Sequence, residues 1–271
     1  MCKDRFTRET QKENNLKQVI IRIDYDGMTS SANLVDALKI ELRKYFTTMT
    51  RSMFNQAKLN LSNAAEIART LSIPIDELKN TPVFDFATTP FGATKDSVKL
   101  EISSFYSALT IISTEYGGIN PYFDFMSWYM AQLYNQEPFL DIKRLGIRKR
   151  SAESFNSIEE ISHTYEQKYY FGQTVDGGNT LIRREYQDCF WNDEENIKVN
   201  YNRAIRTIKM EDKNGFQIVL DIDVYVDEGI IQKEGFNFKN DFCAVFSKLN
   251  NYQYELYKKA VTVEYLEKTS K

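Results

Sequence analysis

The stretch Gly215-Phe216-Gln217-Ile218-Val219-Leu220-Asp221-Ile222-Asp223-Val224-Tyr225-Val226-Asp227-Glu228 constrains this chain most. From Ile218 to Val226 apolar residues occupy every second position, the period at which successive side chains of a strand point to opposite faces of a sheet. Ile218, Leu220, Ile222, Val224 and Val226 therefore form a core face. Val219, Asp221, Asp223, Tyr225 and Asp227 form the other.

On that second face Asp221 and Asp223 sit about 7 Å apart, given a rise of roughly 3.3 Å per residue. Such spacing suits a solvated strand face, the usual pattern of half-buried antiparallel strands. It also suits a divalent-metal site, because an Asp-x-Asp pair is what nucleotidyltransferases and cyclases use to hold Mg²⁺. Those transferases place a Gly-Ser strand turn upstream, which this chain lacks.

Composition narrows the class. A chain of 271 residues can bury roughly 75% of the surface that its unfolded form exposes. Its 42% hydrophobic and 27% charged residues are those of an ordinary globular protein, while 17 tyrosines and 18 phenylalanines favour strands and interfaces. A net charge of −3 argues against holding nucleic acid by overall field. Cys2, Cys189 and Cys243 are odd in number and far apart, so neither a disulfide framework nor a zinc knuckle is expected. The charged start Met1-Cys2-Lys3-Asp4-Arg5 has no signal-peptide apolar region, and no run approaches the ~20 apolar residues of a membrane helix. The expectation is a cytoplasmic protein with no membrane segment.

In chain order, residues 1–15 read as a polar tail. Gln18 to Tyr25 reads as a strand ended by Asp26-Gly27, followed by a helix capped near Ser30 and running through Met53. Ala64 to Pro74 has the look of half a helix-turn-helix, but the acidic segment after it is too short to approach phosphates. Val83–Phe86 is a short strand, Val98–Ser113 a hairpin, and Tyr122–Tyr134 an aromatic-striped helix. A second cycle follows: strand 139–150, a helix from Ser157 to His163 with a Ser157/Glu160 capping box, strands 165–171, 181–186 and 197–210, then the opening stretch. Gly177-Gly178-Asn179 and Asp212-Lys213-Asn214-Gly215 read as hairpin turns. Two helical pieces close the chain, separated at Asn250-Asn251, whose helix propensity is low.

The pattern is α+β: two similar strand-helix-strands-helix halves, 16–137 and 138–271, with a mainly antiparallel sheet and helices packed on one face. An ancient duplication accounts for it.

Candidate chemistry is sparse. His163 is the sole histidine, so a histidine-rich metal site is excluded, and its place late in a short helix suits a surface residue. No phosphate-cradling glycine loop and no nucleophile elbow occurs, so no cofactor is indicated. The densest basic cluster spans Lys143 to Arg150. On a strand Arg144, Arg148 and Arg150 share one face, and together with Lys149 they offer a grip for phosphate or a carboxylate-bearing partner. The alternative is that they pair with neighbouring strands, including the Asp221 and Asp223 face.

Three segments together carry a resemblance: Leu16-Lys17-Gln18-Val19-Ile20-Ile21-Arg22-Ile23, Lys143-Arg144-Leu145-Gly146-Ile147-Arg148, and Leu220-Asp221-Ile222-Asp223-Val224-Tyr225 with the terminal helices. Over nearly its whole length the chain resembles a sporadically distributed bacterial family of domain-sized proteins with no assigned biochemical activity. Lys149 and Arg150 stand where that family has tyrosine and its neighbour. The patchy distribution implies a mobile or defence-associated role.

Three functions fit the residues. The first is a non-catalytic cytosolic interaction or sensor module with a protein partner or self-association, placed by the resemblance in phage defence or toxin control. The second is a metal-dependent nucleotide or nucleic-acid enzyme using Asp221 and Asp223. The third is an RNA-binding platform of stacked aromatics with Arg144, Arg148, Lys149 and Arg150 on phosphates, which the acidic balance of the chain disfavours.

Overall fold

A computed structural model describes residues 3–8, 15–51, 91–112, 118–169, 182–211, 213–227 and 238–270. Among these residues alternating apolar side chains give nine strands: β1 (Leu16–Asp26), β2 (Thr48–Arg51), β3 (Phe91–Lys95), β4 (Val98–Ile102), β5 (Tyr106–Ile111), β6 (Asp141–Phe155), β7 (Arg183–Asn192), β8 (Ile197–Met210) and β9 (Lys213–Asp227). Five α-helices also lie among the described residues: α1 (Ser31–Tyr45), α2 (Asn120–Gln136), α3 (Ile158–Thr164), α4 (Phe238–Ala260) and α5 (Val263–Thr269). The fold is α+β.

All nine strands form one sheet in the order β2-β3-β4-β5-β1-β6-β9-β8-β7, and every ladder is antiparallel. In each half the first strand is central, the last lies beside it, and the others run outward in reverse order. β1 and β6 join the halves side by side. The repeat is therefore one of connection and position, though the halves share a single sheet.

The helices pack on one face. Ile21, Ile23, Leu145, Ile147, Ile222 and Val224 belong to one buried cluster with Leu38 and Leu42 of α1, Met126 and Tyr129 of α2, and Phe242 and Phe246 of α4. This cluster crosses from one half to the other, with Phe123 of α2 stacked on Phe246 of α4 at 5.2 Å. A smaller cluster gathers Phe155, Ile218 and Leu220 against Ile161 of α3, Leu266 of α5 and Phe6.

Several expectations are corrected. α1 ends at Tyr45, not Met53: the Phe46 N–H closes onto the Leu42 carbonyl, and Thr47 N–H donates to the Thr94 carbonyl at 3.0 Å. The β-branched Thr48 and Thr50 then suit a strand. Ser157 Oγ accepts from Glu160 N–H at 3.2 Å, but the Glu160 carboxylate takes the N–H of Asn156, one residue earlier than a capping box requires. No strand spans 165–169. Tyr165 makes a single bridge to Val261, and Gln167–Tyr169 is a 3₁₀ turn.

The β8–β9 reversal falls three residues earlier than Asn214-Gly215 suggests. Met210 pairs with Lys213, Glu211 carries φ +46°, and Asn214-Gly215 lies within β9. Gly215 is there because a Cβ would sit 2.4 Å from Met210 Sδ and 2.7 Å from the Phe155 carbonyl oxygen. Nor do the paired asparagines break the terminal helix: α4 runs through them to Ala260. Their propensity deficit, below ~1 kcal/mol per residue, is small beside the burial of Phe242, Phe246 and Leu249. The segment 64–74, the strand at 83–86 and the turn at 177–179 lie outside the described residues. No helix among the described residues is long and apolar enough to cross a membrane.

Candidate functional site

No described helix covers the second face of the sheet. The side chains that alternate with the core lie on this open face, and its centre is a ladder of ion pairs across β1, β6 and β9. Registers set it up: Asp24 is opposite Arg144, Arg148 opposite Asp223, and Arg150 opposite Asp221. The side chains lean diagonally from these positions. Arg148 donates from Nε and Nη2 to the two oxygens of Asp221 at 2.7 and 2.6 Å, a bidentate fork. Arg144 donates from Nη2 to both oxygens of Asp223 at 2.8 Å and from Nη1 to Asp24 at 3.3 Å. Arg150 adds a 3.3 Å contact to Asp221. Fork geometry of this kind is what guanidinium and carboxylate favour.

Two local features aim Arg144. A bulge between Ile142 and Arg144, where Tyr25 pairs with Ile142 and Asp24 with Arg144, leaves Lys143 as an extra residue in β6, so that Ile142 turns into the core while Arg144 keeps to the open face with Arg148 and Arg150. Gly146 then leaves space beside it: a Cβ there would lie 3.3 Å from Arg144 Nη2 and 3.1 Å from Tyr225 Cβ. The Arg144 guanidinium spreads over the Tyr225 ring at 4.3 Å. A glycine inside a strand signals such close approach, so Gly146 was a readable sign of it.

The ladder continues outward. Arg22 bonds Asp24 at 2.7 Å and lies over the Tyr106 ring at 4.4 Å. Lys99 bonds Glu101 at 2.9 Å, and the Tyr106 hydroxyl donates to the same carboxylate. Burial of Tyr106, with Glu101 beside it, pushes its phenol up to about 12. On the other side Lys198 pairs with Asp227, and Asn200 Nδ2 donates to Asp223 at 3.2 Å.

Arg144, Arg148, Arg150, Asp221 and Asp223 are thus brought together, with Arg22, Asp24, Gly146 and Tyr225 as further members. Arg22 and Asp24 occupy alternate positions of β1, the same signal that exposes the pair in β9. Lys149 is not part of the site. It is opposite Val19 and Ile222 on the helix side, where its Nζ donates to Asn250 Oδ1 of α4 at 2.6 Å. Burial pushes its ammonium down to about 7, and the positive charge of Arg8 acts in the same direction. The apparent basic cluster of 143–150 therefore splits by strand parity.

The solvated reading of the aspartates holds only for the face as a whole. Asp221 is 6% exposed, covered by its arginines, whereas Arg148 and Arg150 keep 42% and 48% of their side chains in solvent. A metal at Asp221 and Asp223 would have to displace the Arg148 fork and the Arg144 guanidinium, and among the described residues no cluster of three metal-ligating side chains occurs. A phosphate chain would meet the same obstacle, since each central cation already lies against a carboxylate. His163 is exposed on α3 and faces Glu264 at 3.1 Å.

Beside the ladder the face dips into a hollow of about 400 Å³. Ala204 and Val219 form its floor, and Arg150, Asp221, Asn202, Glu185 and Gln187 ring it. Small side chains at the floor and amides and charges at the rim make a seat for a polar group. No protein-family model matches the chain, and no curated protein matches it.

Proposed function

We propose that this chain is a non-catalytic protein-interaction module whose partner docks on the open face of the sheet. The observation that carries the reading is the ion-pair ladder itself. It spends its charges on one another and leaves a broad polar surface of mixed sign beside a hollow. Surfaces of mixed sign suit protein partners, whose own charges select register and orientation. Phosphate backbones call for uncompensated cations.

The finer reading, a cytosolic sensor or adaptor in a bacterial phage-defence or toxin-control system, rests on the family resemblance. A toxin, nuclease or ATPase gene beside this one would support it.

The test is a pull-down from the native host with wild type and with the neutral pair Arg148→Gln/Asp221→Asn, which removes both charges as a unit and sets no like charges opposite one another. A partner retained by wild type and lost by the folded neutral variant is the expected result. Equal retention by both, or no partner for either, counts against the open face as the docking surface.

A further inference from the structure

The sheet has two very different edges. β2 is four residues long, whereas β7 runs for ten and its ladder to β8 is unbroken from Arg183–Arg206 to Asn192–Ile197. Among the described residues β8 is its only strand neighbour. Natural sheets blunt long edges with proline, charged side chains or a bulge. β7 has no proline and no bulge, its Arg183, Arg184, Glu185 and Asp188 are of mixed sign, and it carries Phe190 and Trp191 at 39% and 57% exposure.

We propose that β7 pairs antiparallel with β7 of a second copy of this chain, in the register centred on Gln187, joining two sheets about a twofold axis. Such an axis is normal to the sheet and sets each residue opposite one on the same face, so it must pass through a residue pair of identical number. Centred on Gln187, Arg183 faces the partner's Trp191, Arg184 faces the partner's Phe190, and Tyr186 faces the partner's Asp188. Guanidinium against ring and hydroxyl against carboxylate are favourable cross-strand pairs.

Neighbouring registers do worse. Centring on Glu185 or Asp188 sets identical carboxylates face to face. Centring on Tyr186 leaves Phe190 and Trp191 beyond the paired strand segments, and centring on Cys189 sets Asp188 against a phenylalanine. The Gln187 register leaves out only Asn192. This pairing does not depend on what docks on the open face, although Glu185 and Gln187 also border the hollow there, so a dimer presents two hollows on one continuous sheet.

Sedimentation equilibrium over a range of concentrations should show twice the chain mass of 31.7 kDa. Gln187→Lys, which opposes two ammonium groups across the axis on an exposed edge, should return the protein to monomer with unchanged circular dichroism and melting. Gln187→Cys should give a disulfide-linked dimer on mild oxidation, since directly opposed strand residues have Cα atoms about 4.5–5.5 Å apart. Native Cys189, opposite Glu185, should not bridge, as peptide mapping would show. A wild type that is monomeric at every concentration, a dimer unaffected by Gln187→Lys, or bridging through Cys189 in place of residue 187 would each overturn the proposal.

Discussion

The two faces of β9 differ by one residue of phase and by almost everything around them. Ile222 is 1% exposed among helices and strands. Its neighbours Asp221 and Asp223 are also largely covered, but by arginines of the adjacent strand whose outer atoms reach water. Burial means different things on the two sides. On the helix side it removes apolar surface from water, worth about 25 cal/mol per Å². On the open side it is local cover within an ion pair, and replacing the pair as a unit costs far less than removing one member.

Ile222→Ala should break the helix-side face most severely. It removes core methyl groups at the junction of β6, β8 and β9, and a loss of roughly 2–5 kcal/mol is expected by urea melts. A nearly neutral result would mean that the two faces are assigned the wrong way round.

A pH dependence sharpens the contrast from the same side. Lys149 has a folded pKa of about 7 against an ordinary 10.5. Between those values the unfolded chain holds a proton that the folded chain has released, so folding stability rises as pH rises from about 7 to 10.5. Below about 7 both states are protonated and the slope vanishes. Melts of Lys149→Met should lack the rise. A variant that keeps the full wild-type slope would place the titration elsewhere.

On the open side, Asp221→Asn weakens the fork from Arg148 and the contact to Arg150. Both arginines can turn to solvent, so the loss should be roughly 1–2 kcal/mol, below the figure for a fully buried pair. A loss matching that of Ile222→Ala would make the ladder structural. Arg22→Ala, at a half-exposed rung of the ladder, should change stability by less than about 1 kcal/mol, with the remainder screened by salt. A larger change, read by the same melts, would show that the ladder acts cooperatively to its ends.

Much of this was legible in the chain because strand parity is local. The alternation from Ile218 to Val226 assigns both faces of β9, and Ser30 marks the start of α1 by its cap. The partnership of the 143–150 arginines with Asp221 and Asp223 also follows from pattern, once the two strands are taken as neighbours. What stayed hidden depends on contacts distant in sequence. Lys149 reads as one of five clustered cations until parity is applied, and its acceptor, Asn250, is one hundred and one residues away. The same contact hides in reverse, since Asn250-Asn251 reads as a helix break when only propensity is weighed. The pairing of β1 with β6, which makes one sheet of two halves, has no local signature at all.

In the proposed reading β9 stabilises the fold through one face and recognises a partner through the other. The most direct test measures urea midpoint and partner retention together for Ile222→Ala and for the neutral pair Arg148→Gln/Asp221→Asn. Ile222→Ala should lower the midpoint while still retaining the partner under native conditions, and the neutral pair should keep a midpoint much nearer that of wild type while losing the partner. If stability and retention instead fall together in both variants, the two faces are not separable and the claim is contradicted.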